Sequence, residues 1–254
     1  MKQYGLIGFP LTHSFSPNYF KQLFAKKKLD DYRYDAYEID SLNQLESLIH
    51  SHQLLGINVT IPYKKSILPF LHFIHPAALR IGAVNCIYID HAKGKPRLIG
   101  FNTDYIGFSQ TLTPHLRRHH KKALILGSGG SSSAVQYALS KLHIPFQVVS
   151  RASLLSKQYI SYHQLTSEYI DAHKLIINTT PLGMYPDMDK APDIPYEAIS
   201  TKHLLYDLIY NPSETLFLAR GKTHGAQTLN GYDMLSRQAD ESWHIWQTTS
   251  VFWD

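Results

Sequence analysis

The sequence has little cysteine and no long apolar run. Its 254 residues include one cysteine, Cys86, so the chain cannot form an internal disulfide, and such usage is typical of a reducing cytoplasm. No apolar stretch approaches the roughly 20 residues that a membrane-spanning helix needs. The apolar stretch within residues 1–10 is too short for a signal peptide. A hydrophobic fraction of 44% with 18% charged residues excludes global disorder. We therefore expect a folded cytoplasmic protein.

The basic and histidine-rich segments also lack the patterns of two other classes. The net charge is +5, but the basic clusters at residues 26–28 and 117–122 end helical patterns and are not interleaved with aromatic residues. We therefore expect no nucleic-acid partner, and interpret the charge as favouring small anions. The fifteen histidines are scattered, and neither His50 with His52 nor the pair at 119–120 has a third ligand at metal-binding spacing. We expect no metal site.

Strand-like and helix-like segments alternate from the first residues, which predicts an α/β protein with largely parallel sheets. The first predicted helix opens at Ser16-Pro17, because serine suits an N-cap and proline the first turn. A hairpin is predicted to turn at Lys93-Gly94-Lys95. The predicted strands of this first part are residues 3–7, 34–39, 57–61, 84–89 and 97–101.

The alternation restarts near Asp104, which predicts a second domain with its boundary at about residues 102–104. A helix is predicted at 131–142 and a final helix from about Gly231, carrying Met234, Leu235 and Trp243. The predicted strands of this second part are residues 123–126, 146–149, 175–178, 204–207 and 227–229.

A glycine loop joins the first strand of the second part to its helix. Gly127, Gly129 and Gly130 stand in the context in which glycines let a backbone approach a pyrophosphate at a helix N-terminus. Three serines at 131–133 add hydroxyl donors. Ser132 occupies the place of the usual third glycine, so a ligand-free turn remains the alternative. We expect a dinucleotide site here.

The residues at the end of the next strand indicate which dinucleotide binds. An acidic residue there would bind the ribose hydroxyls of NAD, whereas the chain has Ser150-Arg151. A guanidinium matches the extra phosphate of NADP. Arg151 as an ordinary surface cation is the alternative, but the missing acid favours NADP.

Polar residues recur at the ends of elements in the first part. Ser14 and Ser16 stand two apart at a helix start, a spacing suited to a carboxylate, although Ser16 alone is equally well explained as a cap. Asn85 at a strand start and Asp104 at a helix start have the same two interpretations. Capping does not explain why such residues recur at comparable positions.

A second polar set lies along the third predicted strand. Strand periodicity puts Asn58 and Thr60 on one face, at the end where open α/β sheets bind ligands. Lys64 follows on the next turn. The alternative for Lys64 is an ordinary surface lysine, the role that neighbouring Lys65 suits.

Taken together, these segments resemble the shikimate dehydrogenases. The resemblance runs in order through nearly the whole chain. The matching segments are His13-Ser14-Phe15-Ser16-Pro17, Asn58-Val59-Thr60-Ile61-Pro62-Tyr63-Lys64, Gly82-Ala83-Val84-Asn85, Asn102-Thr103-Asp104, Gly127-Ser128-Gly129-Gly130, Asn178-Thr179-Thr180-Pro181-Leu182-Gly183-Met184, Asp207-Leu208-Ile209-Tyr210-Asn211-Pro212, and Gly231 through Met234-Leu235 to Gln238.

The resemblance implies NADPH-dependent reversible reduction of 3-dehydroshikimate to shikimate, a step of chorismate and aromatic amino acid biosynthesis. It implies a mixed, mainly parallel substrate-binding domain of residues 1–103 plus about 232–254, and a Rossmann-like NADP-binding domain of residues 104–231. The protein would be a monomer or homodimer. The alternatives are a quinate/shikimate dehydrogenase that also uses NAD, and a non-catalytic nucleotide-binding sensor.

The resemblance also implies roles for individual residues. Lys64 and Asp104 would form the catalytic pair, and Ser14 and Ser16 would bind the substrate carboxylate. The residues around the ring hydroxyls would be Asn58, Thr60, Asn85, Asp104, Tyr210 and Gln238. The cofactor-binding residues would be Gly127, Ser128, Gly129, Gly130, Ser131, Ser150, Arg151, Thr179, Leu208 and Gly231.

Overall fold

The computed structural model describes residues 1–11, 14–92, 94–151 and 158–248, and the chain divides into two compact units. Unit 1 consists of Met1–Ile106 and Ser236–Asp254, and unit 2 of Gly107–Leu235. The predicted α/β class is confirmed. His13 of the first motif and Lys93 of the predicted hairpin turn lie outside the described residues.

Unit 1 contains a six-stranded mixed sheet. Its order is β2-β1-β3-β5-β6-β4, and β5 runs antiparallel to both neighbours while the other pairs are parallel. The strands are β1 (Lys2–Gly8), β2 (Tyr32–Glu38), β3 (Leu54–Val59), β4 (Phe73–Ile74), β5 (Cys86–Asp90) and β6 (Arg97–Phe101). The helices between them are α1 (Phe15–Lys26), α2 (Leu45–His52), α3 (Tyr63–Ser66) and α4 (Pro76–Ile81).

Several predicted boundaries in unit 1 are wrong: the strands predicted at 34–39, 57–61 and 84–89 lie at Tyr32–Glu38, Leu54–Val59 and Cys86–Asp90, and the start of α1 is also shifted. Helix α1 has its N-cap at Ser14, where the backbone is extended, so Ser16 lies inside the first turn and does not cap the helix. Strand β3 ends at Val59, and Ile61 lies in a turn with 61% of its surface exposed. Beyond the strand, the Thr60 N–H still bonds the Ile7 carbonyl and the Ile61 carbonyl accepts from the Phe9 N–H, each at 3.0 Å, whereas Pro62 has no N–H with which to continue the ladder.

Helix α5 (Asp104–Leu112) begins in unit 1 and ends in unit 2, and α9 (Tyr232–Thr248) begins in unit 2 and ends in unit 1. The second half of α9 packs on the unit 1 sheet through Trp246. A β-carbon at Gly56 would lie 2.4 Å from the Trp246 Nε1, so only glycine leaves room for the indole. Trp246 also donates a hydrogen bond to the Ile87 carbonyl at 3.0 Å. The burial of this indole and the neighbouring Phe20 and Tyr4 fixes the helix against the strands.

Unit 2 contains a six-stranded parallel sheet in the order β12-β11-β10-β7-β8-β9. This is the doubly wound order of the Rossmann fold, whose ligands bind at the carboxyl ends of the strands. The strands are β7 (Ala123–Leu126), β8 (Phe146–Val149), β9 (Tyr159–Ile160), β10 (Leu175–Asn178), β11 (Leu204–Asp207) and β12 (Gln227–Leu229), with α6 (Gly130–Lys141), α7 (Ser167–Ala172) and α8 (Leu216–Thr223) between them. In the described parts of the chain, no helix is both long and apolar enough to cross a bilayer.

Candidate active site and nucleotide loop

Lys64 and Asp104 form an ion pair in unit 1. The short helix α3 carries Lys64, and Asp104 is the first residue of α5. The Lys64 Nζ lies 2.7 Å from Asp104 Oδ2, and the two side chains are 18% and 8% exposed. The Lys64 carbonyl also accepts a hydrogen bond from the Val84 N–H at 2.8 Å, so the backbone of α3 is tied to the segment leading into β5. The structure thus brings Lys64 and Asp104 into direct contact; their catalytic role stays a prediction.

An amide network surrounds the second oxygen of Asp104. Asn85 Nδ2 donates to Asp104 Oδ1 at 2.8 Å, to Thr103 Oγ1 at 3.0 Å and to Gln238 Oε1 at 3.3 Å. The side-chain oxygen of Asn85 in turn accepts from the Thr103 N–H at 2.6 Å. Because the two hydrogens of one amide are shared among three acceptors, Asn85 holds Asp104, Thr103 and Gln238 in one cluster. Asn85 and Asp104 therefore have partners beyond helix or strand caps.

Asn58 connects this cluster to two residues that the sequence analysis did not single out. Its Oδ1 accepts from the Tyr34 hydroxyl at 2.8 Å, and its Nδ2 donates to Ser242 Oγ at 2.8 Å and to the backbone carbonyl of Asn85 at 3.1 Å. Asn58 is 4% exposed. Its amide is thus fully paired inside the protein. Tyr34 and Ser242 were missed because they lie on β2 and α9, in segments whose sequence suggested only core packing.

The two serines at the start of α1 differ in surroundings. Ser14, the N-cap, is part-buried; its hydroxyl donates to the Leu11 carbonyl at 3.3 Å, and its oxygen accepts no capping bond from the helix N–H groups. Ser16 is 7% exposed. Thr60, at the carboxyl end of β3, packs against β1, where a β-carbon at Gly8 would lie 2.5 Å from Thr60 Cγ2. The neighbouring Ile61 is exposed, so this strand end reaches the surface.

The glycine loop in unit 2 follows β7 and precedes α6. Gly127 has a φ of +106°, and a β-carbon there would lie 2.8 Å from Thr179 Oγ1, so this position requires glycine. Gly129 is different: its φ is −77°, and a β-carbon would meet nothing within 4 Å. The loop therefore leaves open space directly before the N-terminus of a twelve-residue helix. An anionic ligand fits such a position because the first backbone N–H groups point toward it.

The serine in place of the third glycine is accommodated within α6. Ser132 is fully buried, and its hydroxyl accepts a hydrogen bond from Gln136 Nε2 at 3.2 Å. The departure from three glycines therefore leaves the helix intact. At the end of β8, the Ser150 hydroxyl lies 3.3 Å from that of Ser128, which ties the loop to the neighbouring strand. Arg151 follows, exposed.

The other predicted cofactor residues lie at the same edge of the unit 2 sheet. The Thr179 N–H and hydroxyl both bond the Leu126 carbonyl, at 2.9 Å and 2.8 Å. A β-carbon at Gly231 would lie 2.0 Å from the Leu208 carbonyl oxygen. The backbone of Gly231 is thus pressed against Leu208, which explains a glycine there. The carboxyl ends of β7, β10 and β11 bring these residues together, as expected for a parallel sheet.

A buried carboxyl group, that of Asp207, lies beneath this edge; the sequence showed Asp207 only as part of a motif, with no sign of its burial. Asp207 is fully buried and accepts hydrogen bonds from Thr215 Oγ1 at 2.6 Å, Asn178 Nδ2 at 3.1 Å and the Ile209 N–H at 3.0 Å. Burial raises the pKa of Asp207 from 3.8 to about 6, and the three hydrogen bonds partly oppose the rise. The network joins the loops after β10 and β11, the second of which carries the part-buried Tyr210.

Burial raises the pKa of the Cys86 thiol to about 12, which makes thiolate chemistry unfavourable there. Among the described residues, no group of three His, Cys, Asp or Glu side chains is arranged to hold a metal ion.

Comparison with known proteins decides the family. The family model of the shikimate dehydrogenase substrate binding domain matches residues 6–87. A shikimate dehydrogenase (NADP(+)) of Methanococcus maripaludis is 39% identical over 261 residues, covering 96% of this chain and 91% of that protein. The chain belongs to the shikimate dehydrogenase family. The family resemblance drawn from the sequence motifs is thereby confirmed.

Other shikimate dehydrogenases extend the similarity. The Clostridium beijerinckii shikimate dehydrogenase (NADP(+)) is 38% identical, covering 97% of this chain and 92% of its own length. A crystal structure of shikimate 5-dehydrogenase from Thermus thermophilus, in complex with NADP(H) and shikimate, is 29% identical. Its TM-score is 0.84, with 97% of this chain and 93% of that chain covered. The similarity to shikimate dehydrogenases therefore includes both units.

Proposed function

We propose that this protein catalyses the reversible, NADPH-dependent reduction of 3-dehydroshikimate to shikimate. Family membership supports the reaction. One observation supports the choice of the residues that perform it. The Lys64 ammonium lies 2.7 Å from a carboxylate whose other oxygen is held by Asn85. This arrangement presents a proton donor of fixed position, which a carbonyl reduction needs.

The chemistry assigns the proton to Lys64. NADPH, when bound, supplies the hydride. As a ketone is reduced, negative charge develops on its oxygen, and a donor within hydrogen-bonding reach stabilises that charge. Lys64 Nζ donates the proton to this oxygen in reduction and accepts it from the hydroxyl in oxidation. Asp104 fixes the direction of the Lys64 side chain and has free lone pairs for a neighbouring substrate hydroxyl.

The remaining polar residues bind and orient the substrate in the proposal. Ser14 and Ser16 stand at the N-terminus of α1, where hydroxyls and the helix dipole favour a carboxylate. The ring hydroxyls are bound by Thr60, Asn85 and Gln238. Asn58, with its amide already paired, contributes by holding Asn85 and Ser242 in place.

The loop residues fit the pyrophosphate of NADP. Open space before α6 admits the pyrophosphate at Gly129, and the hydroxyls of Ser128, Ser131 and Ser150 add donors. Arg151 binds the phosphate on the adenine ribose, since Ser150 and Arg151, and no acidic residue, come directly after β8. We therefore propose NADP rather than NAD as the cofactor, residues 104–231 as its domain, and the cytoplasm as the compartment.

A direct assay tests the reaction. Purified protein is mixed with shikimate and either NADP⁺ or NAD⁺, and the reduced nucleotide is followed by its absorbance, with quinate as the comparison substrate. We expect the largest kcat/KM for the pair shikimate and NADP⁺. Absence of shikimate-dependent reduction with either nucleotide would refute the proposed function, and equal rates with quinate would favour the broader quinate/shikimate activity.

A matched pair of variants tests the proton donor. Lys64→Ala should lower kcat by about 10² to 10⁴-fold, the usual contribution of a general acid, with a much smaller effect on the KM for shikimate. Lys65→Ala, next to it and exposed, should leave kcat unchanged. A Lys64→Ala enzyme with wild-type kcat would remove Lys64 from the catalytic role.

A further inference from the structure

A buried chain of hydrogen bonds in unit 1 runs from Tyr34 to the Lys64–Asp104 pair. The Tyr34 hydroxyl donates to Asn58 Oδ1 at 2.8 Å. Tyr34 is 7% exposed and Asn58 4%, so this bond is shielded from water. On the α1 side, Ser16 is buried four residues before Phe20, whose ring stacks on that of Tyr34, and the Ser16 side chain interacts with the Tyr34 hydroxyl.

Asn58 connects Tyr34 to the Lys64–Asp104 pair through further hydrogen bonds. Its Nδ2 donates to Ser242 Oγ at 2.8 Å, and Ser242 Oγ lies 3.3 Å from Thr103 Oγ1. The Thr103 N–H bonds Asn85, whose amide holds Asp104. Each polar group in this path is paired inside the protein, so moving one member leaves another buried group unsatisfied.

The ring of Tyr34 is held separately from its hydroxyl. It stacks on Phe20 with ring centroids 4.2 Å apart and an interplanar angle of 14°, and it lies 6.2 Å from the ring of Trp246. The aromatic packing therefore fixes where the ring lies, and the hydroxyl is its polar contact with Ser16 and Asn58. Removing that oxygen alone leaves the packing in place.

We propose that Tyr34 is a positioning residue for the substrate. Through one hydroxyl it fixes Ser16, which binds the substrate carboxylate, with respect to Asn58, and through Ser242 with respect to the Lys64–Asp104 pair. Tyr34 itself does not touch the substrate. The inference rests on the proposed function. It holds that this chain of hydrogen bonds fixes the distance between the residues that bind the substrate carboxylate and those that act on its reacting oxygen.

The test compares two tyrosines of the same aromatic cluster. Tyr34→Phe removes the linking hydroxyl. Tyr4→Phe is the matched control, since Tyr4 is 2% exposed and stacks on Trp246, while its hydroxyl accepts from Gln247 Nε2 at 3.4 Å and has no part in the chain of bonds. Steady-state kinetics in the direction of shikimate oxidation and thermal unfolding are measured for both variants and wild type.

The expected result is a split between kinetic constants. Tyr34→Phe should raise the KM for shikimate by about tenfold, with the KM for NADP⁺ unchanged and kcat within about threefold of wild type, as expected for lost orientation of one substrate. Tyr4→Phe should leave both KM values within about twofold of wild type. The two variants should unfold within a few degrees of each other, since each loses one buried hydroxyl.

A second variant tests the coupling. Ser242→Ala should also raise the KM for shikimate, and the Tyr34→Phe/Ser242→Ala double variant should show less than the product of the two single effects, because one path is already broken. Multiplicative effects, or a KM for shikimate in Tyr34→Phe equal to that in Tyr4→Phe, would overturn the inference and leave the proposed function standing. A wild-type enzyme inactive on shikimate would overturn both.

Discussion

Asp207 gives unit 2 a pH-dependent stability that can be calculated from its environment. Its side chain is fully buried, its partners are all hydrogen-bond donors, and burial raises its pKa from 3.8 to about 6. The perturbation is Asp207→Asn, which keeps the shape and one acceptor oxygen but cannot ionise. The remaining amide can donate to Thr215, whose hydroxyl then accepts.

The sign follows from the two pKa values. Below about pH 3.8 the carboxyl group is protonated in both the folded and unfolded chain. Between about pH 4 and 6 the unfolded chain releases the proton while the folded chain retains it, so unfolding becomes more favourable as the pH rises. Above about pH 6 both are ionised. A rise in pKa from 3.8 to about 6 is worth about 3 kcal/mol in the free energy of unfolding.

The readout must report unit 2 alone, because the three tryptophans all lie in residues 236–254 of unit 1. Hydrogen exchange of peptides containing β10 and β11 is therefore measured between about pH 3.5 and 7, the range that spans both pKa values, for wild type and Asp207→Asn. The ratio of their protection factors cancels the pH dependence of exchange itself and of shared titrating groups. This ratio, wild type over variant, should fall by about two orders of magnitude as the pH rises. A ratio that stays constant within about fivefold would refute the buried-carboxyl argument.

Three further predictions concern ligand binding and reactivity. Gly129→Ala should raise the Kd for NADP⁺ by at least about tenfold, because its methyl group enters the open space before α6. The free energy of unfolding should change by no more than about 1 kcal/mol. Unchanged binding in calorimetry would show that the pyrophosphate does not bind at Gly129. Arg151→Ala should raise the KM for NADP⁺ by about tenfold and leave that for NAD⁺ unaltered, with the exposed Arg118→Ala as control; equal effects on both nucleotides would count against phosphate recognition. Cys86 should react with a thiol reagent only after denaturation, since burial raises its pKa to about 12; rapid labelling of the native protein would contradict this.

Much of unit 2 was predictable because each strand is a short apolar run with a clear end. The runs at Ala123–Leu126 and Leu175–Asn178 stop at glycine and at Asn178–Thr179, and the strand bounds match those in the structure. The two-residue strands β4 and β9 were missed, since such short segments carry no periodicity. The shift of the α1 N-cap from Ser16 to Ser14 reflects two serines of equal local preference, between which only tertiary packing chooses.

In the candidate site, too, the sequence did not predict the features that depend on tertiary packing. Lys64 and Asp104 were predictable as a pair through the family resemblance, and their separation of 40 residues is bridged by the fold. Tyr34 and Ser242 were not, because their importance arises from contacts with Asn58 made across three distant segments. Asp207 was visible as a residue at a strand end, but its burial, and hence its raised pKa, depends on Thr215 and Asn178 closing over it.

Helix α9 has a consequence for the order in which the protein can be completed. Gln238, Ser242 and Trp246 belong to unit 1, yet a ribosome makes all of unit 2 before it reaches them. Until then the β3 surface at Gly56 lacks its indole, and the amides of Asn58 and Asn85 lack their partners on α9. A nascent chain ending within unit 2 therefore carries an unfinished first unit, with an apolar sheet face open to other molecules. A helix synthesised only after unit 2 is thus the one that closes both the core and the hydrogen-bond chain.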